Sequence, residues 1–412
     1  MNEPRLRMDE FDYELPPSSI AHVPVEPRDS ARMLADRGPG KAPDHRSIGD
    51  LPSMLGSGDL LVVNETRVMP ARLPLRKRTG GAAEVLLLAP LAAAPDSTSQ
   101  SADLDADRRW AALVRPSRRI ADGTVLVSER DPSVRVVVGE RLDRQRRAVR
   151  VLVGEAPLAD VSQARLLERA GEAPLPPYID PNVARAAIAQ RLGVEVADSD
   201  AARTALADRY QTVYARSDGS AAAPTAGLHL TERVLESLRS NGVGIATVDL
   251  TVGLATFAPV TAEHADEHEM HTEHYRVSAQ TLAACAAAEC VVAVGTTTVR
   301  ALEAAARQRQ SHGRAPGTAA VPAAQAGTAD VPEAQAGTAD VCGATDLFLR
   351  RGAEFLAVDA LLTNFHLPRS SLLLLIDAFI GPRWRGLYET ALAEGYRFLS
   401  FGDAMLLRRT PR

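Results

Sequence analysis

Residues 219–230 (GSAAAPTAGLHL) combine small side chains with one hydroxyl group, Thr225, one reactive imidazole, His229, and Gly227 between them. Bulky apolar residues build cores, whereas a run of Gly, Ser and Ala lets a backbone approach a bound molecule closely. Thr231 follows as a helix N-cap, so we expect a tight loop that delivers His229 to a helix N-terminus. The N–H groups there favour a carboxylate, a phosphate or a developing negative charge. The alternative is an ordinary loop of small residues before a helix.

A second concentration of chemical groups is the histidine-rich segment 264–274. Its histidines are four, three and three residues apart, with glutamates between them. If the segment were a helix, this spacing would place the histidines along one face, where they could bind a metal ion. No cysteine or HExxH pattern accompanies them, so we expect no metal. We predict general acid–base chemistry by His271 and Glu273 instead, because imidazole titrates near neutral pH and a neighbouring carboxylate can fix its tautomer. The histidines are His264, His268, His271 and His274.

A third candidate is VGTTTVRALEAA at 294–305, where a strand leads through three threonines into a helix that carries Arg300. Hydroxyls and free N–H groups at a helix start suit ligands with hydroxyl or carboxylate groups, and Arg300 could clamp an anion. Threonine is also common in strands and caps, so the run can be purely structural. The sequence contains neither the lysine-bearing phosphate loop nor a GxGxxG pattern, which disfavours nucleotide hydrolysis and dinucleotide redox chemistry.

Polar residues also follow predicted strands near both ends of the chain. In GDLLVVNETR a buried strand ends in a polar cluster that begins at Asn64. In TNFHLPRSS, Asn364 and His366 lie on a strand-to-helix connection, with Asp359 before them on the strand and Asp403 in FGDAML near the C-terminus. Each residue alone is more often structural. Together they predict several strand ends that converge on one polar pocket.

The elements that position these residues lie in two regions with different sequence patterns. Segment 73–157 holds short β-rich stretches separated by turns, which indicates a small antiparallel barrel or sandwich. Elsewhere strands alternate with helices, which predicts a mostly parallel sheet covered by helices. We therefore predict an α/β protein with a large, barrel-like α/β main domain (1–72 and 158–412) and an inserted small antiparallel β-barrel (73–157). Three copies of a ten-residue unit predict a surface insertion at 310–343.

Composition indicates a cytoplasmic protein. The chain has 412 residues, a formal net charge of −5 and three cysteines, too few for a disulfide framework. The N-terminus carries no apolar signal segment, and the longest apolar run (371–381) is interrupted by Asp377 and too short to span a bilayer. We expect a cytoplasmic monomer without membrane contact. The net charge argues against a protein that coats nucleic acid, but not against a local basic face.

Taken jointly and in order, these motifs resemble one family, the S-adenosylmethionine:tRNA ribosyltransferase-isomerases of queuosine biosynthesis. The resemblance covers nearly the whole chain except the 92–109 hairpin tip and the repeats. The matching stretches are FDYELPPSSIAHVP, PRDSARML, GDLLVVNETRVMPARL, LPLPPYI, YQTVYA, AAPTAGLHLTERVLESLRSNGV, HEMHTEHY, VAVGTTTVRALEAAA, VDALLTNFHLPRSSLLLL and YRFLSFGDAML.

The resemblance implies an activity and its partners. The ribosyl part of S-adenosylmethionine is transferred to a 7-aminomethyl-7-deazaguanine base at the wobble position of tRNA, giving epoxyqueuosine, adenine and methionine. S-adenosylmethionine is then a substrate and no separate cofactor is implied, while the macromolecular partner is the tRNA anticodon stem-loop. The family fold is a large α/β domain with an inserted small β-barrel.

The implied chemistry needs a base for the ribose C5′ hydrogens, which the sulfonium acidifies, an unprotonated amine and a proton donor for departing adenine. The catalytic candidates are His229, His271, Glu273, His366 and Asp403. The candidates for holding ribose hydroxyls, the methionine carboxylate and the rest of the substrate are Asn64, Arg67, Arg72, Thr225, Gly227, Thr296, Thr297, Thr298, Arg300, Asp359 and Asn364. Candidates for the anticodon stem are the basic residues Arg115, Arg118, Arg119, Arg144, Arg146 and Arg147.

The sequence departs from the family pattern at several positions. Thr251 stands where a histidine is usual and Ala255 where a glycine is usual; Ala258, His274 and Asp377 also differ from the usual residues. Two alternatives therefore stay open at this point. One is a diverged S-adenosylmethionine-dependent transferase with a non-tRNA acceptor, and the other is a non-catalytic paralogue that binds tRNA or a nucleoside.

Overall fold

The structure, a computed structural model, describes most of the chain. The described residues are 5–91, 109–143, 145–154, 163–195, 200–251, 260, 262–268, 270–312 and 339–409. Ala255, Ala258, nearly all of the 92–109 tip and the central part of the 310–343 repeats lie outside this range.

Strands and helices follow one another along the described residues. The strands are β1 (Arg32–Ala35), β2 (Asp44–Ser47), β3 (Asp59–Asn64), β4 (Thr66–Val68), β5 (Arg72–Lys77), β6 (Ala82–Pro90), β7 (Arg109–Arg115), β8 (Val125–Ser128), β9 (Val134–Arg141), β10 (Arg146–Val153), β11 (Ser217–Ser220), β12 (Gly244–Leu250), β13 (Glu273–Val277), β14 (Cys290–Val294), β15 (Val341–Thr345), β16 (Ala360–Asn364) and β17 (Ala404–Arg408). The helices are α1 (Gln163–Ala170), α2 (Pro181–Leu192), α3 (Asp200–Arg209), α4 (Glu232–Ser240), α5 (Ala279–Ala287), α6 (Thr296–His312), α7 (Ser371–Ile380) and α8 (Trp384–Ala393).

The chain divides into two compact units. The first comprises Met1–Thr66, Thr212–Ser217 and Pro224–Arg412, and the second comprises Arg67–Gln211 and Asp218–Ala223. The second unit thus extends beyond 73–157 at both ends and includes α1 to α3. The predicted domain limits at 72/73 and 157/158 stay predictions.

The first unit is organised by a nine-stranded sheet in the order β15-β13-β12-β3-β14-β16-β17-β1-β2. Its centre, β12-β3-β14-β16, is parallel. These central strands read as nearly continuous apolar runs, such as the buried LLVVN of β3 and ALLTN of β16, because parallel strands are covered on both faces. The mixed α/β class predicted from the sequence is confirmed.

Two predictions about this sheet are wrong. It is not mostly parallel, because β13, β15 and β2 run antiparallel to their neighbours and β16 pairs antiparallel with β17. Among the described residues it is also not barrel-like, because it is an open sheet with β15 and β2 at its edges, and closure would require these edge strands to pair with each other. The sequence shows where strands lie, but their direction depends on the path of each connection.

Local signals in the first unit are confirmed. The hydroxyl of Thr231 caps α4 by accepting a hydrogen bond from the N–H of Val234 at 3.3 Å. The helix ends at the Asn241-Gly242 pair, where Gly242 has a φ of +80°. The predicted 310–343 insertion is too wide, because α6 continues to His312 and β15 begins at Val341.

In the second unit, strands β5 to β10 close into an antiparallel barrel in the order β10-β7-β6-β5-β8-β9. Alternate residues fill its interior, as in β9, where Val134, Val136 and Val138 are buried and Arg135 and Val137 between them are partly exposed. This alternation of buried and exposed residues is the pattern from which the sequence predicted strands in this region.

Within the described residues, none of the helices combines the length and the apolar character that a membrane span requires.

Candidate active site

The carboxyl-terminal edge of the central strands gathers many of the predicted site residues. Asn64 is the last residue of β3, Val294 of β14 and Asn364 of β16. Since these three strands are parallel neighbours, their ends lie at one edge of the sheet, the usual site of binding in α/β proteins. The next segments begin with Thr296 on α6 and contain His366, so the predicted convergence of strand ends is present.

The first group at this edge consists of Thr225, His229 and Asn364. The amide nitrogen of Asn364 lies 2.9 Å from Nε2 of His229, and its oxygen accepts a hydrogen bond from the hydroxyl of Thr225 at 2.9 Å. His229 and Asn364 are both buried. Thr225 and His229 stand at the two ends of a short 3₁₀ turn, Thr225–His229, so the turn and the strand end fix one another. We call these three residues the Asn364 cluster.

Hydrogen-bond donors and acceptors in the Asn364 cluster define the tautomer of His229. The Asn364 nitrogen also lies 3.2 Å from the carbonyl oxygen of Leu399, which can only accept, so the amide orientation is fixed. The same nitrogen therefore donates to Nε2 of His229. Nε2 carries no proton, and the ring is a neutral imidazole with its proton on Nδ1. Nδ1 is thereby the ring nitrogen of His229 that can donate a hydrogen bond.

Backbone strain is concentrated beside this cluster. Leu399 and Arg369 have φ values of +70° and +54° and are the non-glycine residues with positive φ among the described residues. Leu399 is held by Asn364 and by the N–H of Gly402, which donates to its carbonyl at 2.9 Å. Arg369 follows His366 in the connection from β16 to α7. Strain of this kind persists where the surrounding structure enforces it and is frequent at functional sites.

The carboxylate of Asp403 supports the backbone next to the cluster. It accepts hydrogen bonds from the N–H groups of Arg32 at 3.0 Å and Arg397 at 2.8 Å. The carbonyl of Asp403 also lies 3.4 Å from the nitrogen of Asn364. The structure thus brings Asp403 to the cluster, with its carboxylate occupied in positioning β1 and the start of β17. Its predicted catalytic role stays a prediction.

His366 lies fully enclosed two residues beyond Asn364. Its Nε2 is 3.1 Å from the hydroxyl of Thr363, and burial lowers its pKa from 6.5 to about 3. Its backbone is held from both sides: the N–H bonds to the phenol oxygen of Tyr388 at 3.0 Å, and the carbonyl accepts from the hydroxyl of Tyr13. At neutral pH His366 is therefore a fixed, uncharged imidazole that can hydrogen-bond but accepts a proton poorly.

The second group consists of Glu273 and Arg300, a buried ion pair. One guanidinium nitrogen of Arg300, Nη1, donates to the Glu273 carboxylate, and Nε donates to the carbonyl of Leu347 at 3.2 Å. The remaining nitrogen, Nη2, is buried and has no hydrogen-bond partner among the described residues. A buried cationic donor without a partner is costly, and it is suited to receive an anionic ligand atom.

The threonine run starts α6 next to this pair. Gly295, with a φ of +86°, makes the turn from β14 into the helix. The hydroxyl of Thr298 donates to the carbonyl of Val294 at 2.7 Å, so it is used within the helix start. The hydroxyl of Thr297 is buried and has no partner within the described residues, and Thr296 is also buried. Thr297 is therefore the member of the run with an unused polar group.

The histidine-rich segment does not form a helix, so the helical face proposed for a metal site is wrong. Residues 265–267 form a short 3₁₀ turn and Glu273 begins strand β13, whose residues alternate between buried and exposed. Glu273 faces the interior while His274 and His271 are exposed to solvent. Among the described residues, no set of three His, Cys, Asp or Glu side chains is arranged to hold a metal ion.

Asn64 lies at the site edge but has its side chain occupied. Its amide nitrogen donates to the carbonyl of Leu250 at 3.0 Å, and its oxygen accepts from the N–H groups of Leu250 and Thr66 and from the Thr66 hydroxyl. It therefore joins the ends of β3 and β12. Thr251, at the departure from the family pattern, follows β12 directly, is exposed, and donates its N–H to the carbonyl of His274 at 3.0 Å.

Gly227 packs closely against protein, and its predicted contact with substrate stays a prediction. A Cβ atom at this position would lie 1.9 Å from the phenol oxygen of Tyr214 and 3.0 Å from a methyl carbon of Thr212. The close approach that requires a glycine is thus an approach by protein, because Tyr214 covers this face of the residue. The hydroxyls of Tyr214 and Thr212 are buried and have no hydrogen-bond partner in the described part of the chain.

One further predicted substrate-binding residue, Asp359, is not brought to this edge, and two others, Arg67 and Arg72, belong to the second unit. Asp359 precedes β16 and binds the N–H of Val291 near the start of β14, at the opposite edge of the sheet from Asn364. In the second unit, Arg72 is engaged in ion pairs with Glu84 and Glu172.

The arginines suggested for RNA contact have different environments in the barrel. Arg147 is only 1% exposed and donates hydrogen bonds to the carbonyls of Ile120 and Gly139. Its side chain therefore stabilises the barrel and cannot contact RNA. Arg115, Arg119 and Arg146 are exposed. Arg144 and the side chain of Arg118 lie outside the described part.

Sequence reasoning missed the residues that act through the backbone or through a neighbour. Tyr13, Tyr388 and Thr363 hold His366, and Tyr214 covers Gly227. Tyr13 and Tyr214 do lie in stretches that carry the family resemblance, FDYELPP and YQTVYA, but nothing in a linear motif indicates which distant residue a tyrosine contacts.

Imidazole, hydroxyl, carboxylate and guanidinium groups at the carboxyl edge of parallel strands define an α/β enzyme architecture. The chain belongs to the queuosine biosynthesis protein family, whose model matches residues 8–407. It is 44% identical over 408 residues to the S-adenosylmethionine:tRNA ribosyltransferase-isomerase of Moorella thermoacetica, covering 98% of this chain and 100% of the relative. It is 42% identical over 403 residues to the protein of the same name from Rubrobacter xylanophilus, covering 98% of each.

A solved structure, the S-adenosylmethionine tRNA ribosyltransferase from Thermotoga maritima, has 30% identity and a TM-score of 0.45, covering 96% of this chain and 99% of that one.

Proposed function

We propose that this enzyme transfers and isomerises the ribosyl moiety of S-adenosylmethionine onto 7-aminomethyl-7-deazaguanine at the wobble position of tRNA. The products are epoxyqueuosine-tRNA, adenine and methionine. It is thus a transferase-isomerase of queuosine biosynthesis that uses S-adenosylmethionine as a substrate. The macromolecular substrate is the anticodon stem-loop.

The observation that carries this proposal is the end-to-end match to relatives that share one activity in their names. Relatives from Moorella, Rubrobacter and Anaeromyxobacter, each 42–44% identical, align over 98% of this chain and are all S-adenosylmethionine:tRNA ribosyltransferase-isomerases. A diverged transferase with another acceptor, or a non-catalytic paralogue, is therefore not favoured. The exchange to Thr251 alters one exposed position beside the site and leaves the buried groups around it intact.

Arg300 is the group best suited to hold the methionine carboxylate of S-adenosylmethionine. Its Nη2 is buried and without a partner among the described residues, while Glu273 and the Leu347 carbonyl fix the other nitrogens. A guanidinium held in this way presents its remaining N–H groups in a fixed direction, which suits a carboxylate. Thr297, three residues earlier on the same helix, offers the unused hydroxyl for the same end of the substrate.

The three candidate histidines suit different tasks. His229, whose neutral ring carries its proton on Nδ1 by virtue of its bond with Asn364, is suited to orient departing adenine by donating a hydrogen bond. His366 stays uncharged, because its pKa of about 3 makes it a weak base, and it is suited to orient a hydroxyl group. His271 is exposed and can exchange protons with solvent, which suits the base that removes a C5′ hydrogen. Asp403 acts through the backbone that supports Asn364.

A direct assay tests the proposal. The protein is incubated with S-adenosylmethionine and tRNA that carries 7-aminomethyl-7-deazaguanine, and adenine release is followed together with the appearance of epoxyqueuosine in digested tRNA. We expect both products in equal amounts, and loss of both in His271→Ala with the fold intact. Adenine release only with a different acceptor would favour the diverged transferase, and no release with any acceptor would favour the non-catalytic paralogue.

We also propose that the enzyme works as a cytoplasmic monomer and needs no cofactor besides its two substrates. The low cysteine content supports a reducing compartment. Light scattering of the purified protein checks the monomeric state, and activity after treatment with a chelator checks the absence of a metal requirement.

A further inference from the structure

The outer face of three adjacent barrel strands carries a band of arginines. Strand β10 lies between β7 and β9 and pairs with both. The residues of β7 and β9 that point inward are buried, as Trp110 and Val136 illustrate, and the positions between them face outward. The outward positions of the three strands include Arg109, Arg115, Arg135, Arg146 and Arg150, a set that we call the arginine face.

Two members of the arginine face oppose each other directly. Arg109 on β7 is the cross-strand partner of Arg150 on β10, so two like charges share one face at the closest spacing that a sheet allows. Arg135 on β9 is the partner of Leu152, two residues along β10 from Arg150, which places a third cation diagonally beside this pair. Three guanidinium groups thus lie close together on one outward surface, which suits a ligand that carries several negative charges.

The acidic residues near the arginine face are held by exposed, exchangeable contacts. Arg109 pairs with Glu140, and Arg146 pairs with Asp143 at 2.5 Å, in both cases at the surface. Exposed ion pairs of this type are weak and screened by salt, so a polyanion can replace them. Glu84, which stands opposite Arg115, is engaged with Arg72 at 2.7 Å. Among the described residues the arginine face is locally basic, although the whole chain carries a net charge of −5.

We propose that the arginine face binds the phosphate backbone of the tRNA substrate. The assignment rests on the proposed function, which makes tRNA a substrate, and adds the surface that recognises it. Guanidinium groups pair with phosphate oxygens through two parallel hydrogen bonds, and a row of them across neighbouring strands can follow several phosphates. Contacts of this kind position RNA without reading its sequence, so the face sets affinity and register, while the modified base is recognised elsewhere.

The test is a comparison of two double variants with the same charge change. Arg135→Gln/Arg150→Gln removes two positive charges from the arginine face. Arg76→Gln/Arg78→Gln removes two from exposed positions on and just after β5, the strand across the barrel from β10. Affinity for full-length tRNA is measured by fluorescence anisotropy over a range of salt concentrations. We expect the first variant to bind about 10-fold or more weakly at about 0.1 M salt, with a salt slope less steep by about two, and the second to bind like the unaltered protein.

Enzyme kinetics and thermal unfolding complete the test. In the arginine-face variant the KM for tRNA should rise while the KM for S-adenosylmethionine and the unfolding temperature stay unchanged; if the double variant unfolds, Arg150→Gln alone replaces it. Equal weakening by both double variants, or by neither, overturns the arginine face as the RNA surface. Failure of the unaltered protein to bind tRNA would overturn the proposed function itself, which separates the two failures.

Discussion

Asn364 donates a hydrogen bond to Nε2 of His229 at 2.9 Å, and this contact fixes which nitrogen of the imidazole carries the proton. The amide can serve in this way because the carbonyl of Leu399 and the hydroxyl of Thr225 determine its orientation. A residue at the end of a central strand thereby sets the protonation state of a residue on a separate turn. The relationship joins two sequence motifs that are 135 residues apart.

Replacement Asn364→Asp should disturb this relationship with little change in shape. A carboxylate cannot donate to Nε2 and instead accepts a hydrogen bond from it. The neutral His229 ring would then carry its proton on Nε2, so Nδ1 could no longer donate. Because a positioned hydrogen-bond donor contributes roughly 100-fold to a rate, we expect adenine release to fall by about that factor, with the smallest loss at acid pH, where the ring gains a second proton. The measurement is the rate of adenine release between pH 5 and pH 9.

A matched control is Asn241→Asp, which makes the same change at the end of α4. Its amide nitrogen donates to the carbonyl of Pro52 at 2.8 Å, so this variant should lose about 1 kcal/mol of stability and keep its turnover. If Asn364→Asp retained normal turnover and pH dependence, His229 would not act as the donor.

His366 should make the stability of the protein depend on pH. Burial lowers its pKa from 6.5 to about 3, so below pH 6.5 the unfolded chain takes up a proton that the folded protein does not. The contribution is fully present above pH 6.5 and is lost as the pH falls toward 3, by about 1.4 kcal/mol per pH unit. Chemical denaturation of His366→Gln between pH 7 and pH 4 should show a shallower loss.

The exposed His274 provides the control for this prediction. His274→Gln makes the same substitution on an exposed side chain of strand β13, and it should unfold with the pH dependence of the unaltered protein. An equal slope for His366→Gln and the unaltered protein would mean that the His366 imidazole reaches solvent.

Sequence alone predicted what depends on local chemistry. The Thr231 cap of α4 follows from a turn residue, and the meeting of the Asn64 and Asn364 strand ends at one edge follows from apolar runs that end in polar residues. It predicted poorly what depends on exact boundaries or direction. The strand predicted around Asp359 begins only at Ala360, which leaves the carboxylate at the opposite edge from Asn364. The spacing of the histidines fits a helix, yet Glu273–Val277 form strand β13, which pairs with β12 and β15.

Contacts between distant segments could not be predicted at all. A glycine in a small-residue loop indicates that another group approaches the backbone closely, but the sequence does not say whether that group is substrate or protein. At Gly227 the structure shows that the ring of Tyr214 makes this approach. In the same way, Asn64 has the residue type and position of a ligand contact, and only its bonds to Leu250 and Thr66 show that its amide is occupied.

Arg300→Lys should separate substrate binding from folding. Lysine keeps the positive charge near Glu273, but it lacks the planar fork that bonds Glu273, the Leu347 carbonyl and a ligand at once. We expect the KM for S-adenosylmethionine to rise about 10-fold or more, since a charge-assisted bond contributes roughly 1.5–3 kcal/mol. Kinetics at saturating tRNA give this value.

The control for Arg300→Lys is Arg276→Lys on strand β13. Arg276 is exposed and binds Asp340 at 2.7 Å, so its replacement should change neither the KM nor the stability measurably. An unchanged KM in Arg300→Lys would exclude Arg300 from the carboxylate site.

Gly227→Ala should destabilise the protein, and a second substitution should relieve the effect. The added methyl group would lie 1.9 Å from the Tyr214 phenol oxygen, an overlap that forces the turn or the ring to move and costs about 1–3 kcal/mol. Tyr214→Phe removes that oxygen together with a buried hydroxyl that has no partner in the described residues, so the double variant should recover much of the loss. Gly386→Ala is the control, because nothing lies within 4 Å of a Cβ atom there and alanine favours helix α8. Denaturation of the four variants gives the coupling energy; additive losses from Gly227→Ala and Tyr214→Phe would show that the ring does not cover Gly227 in solution.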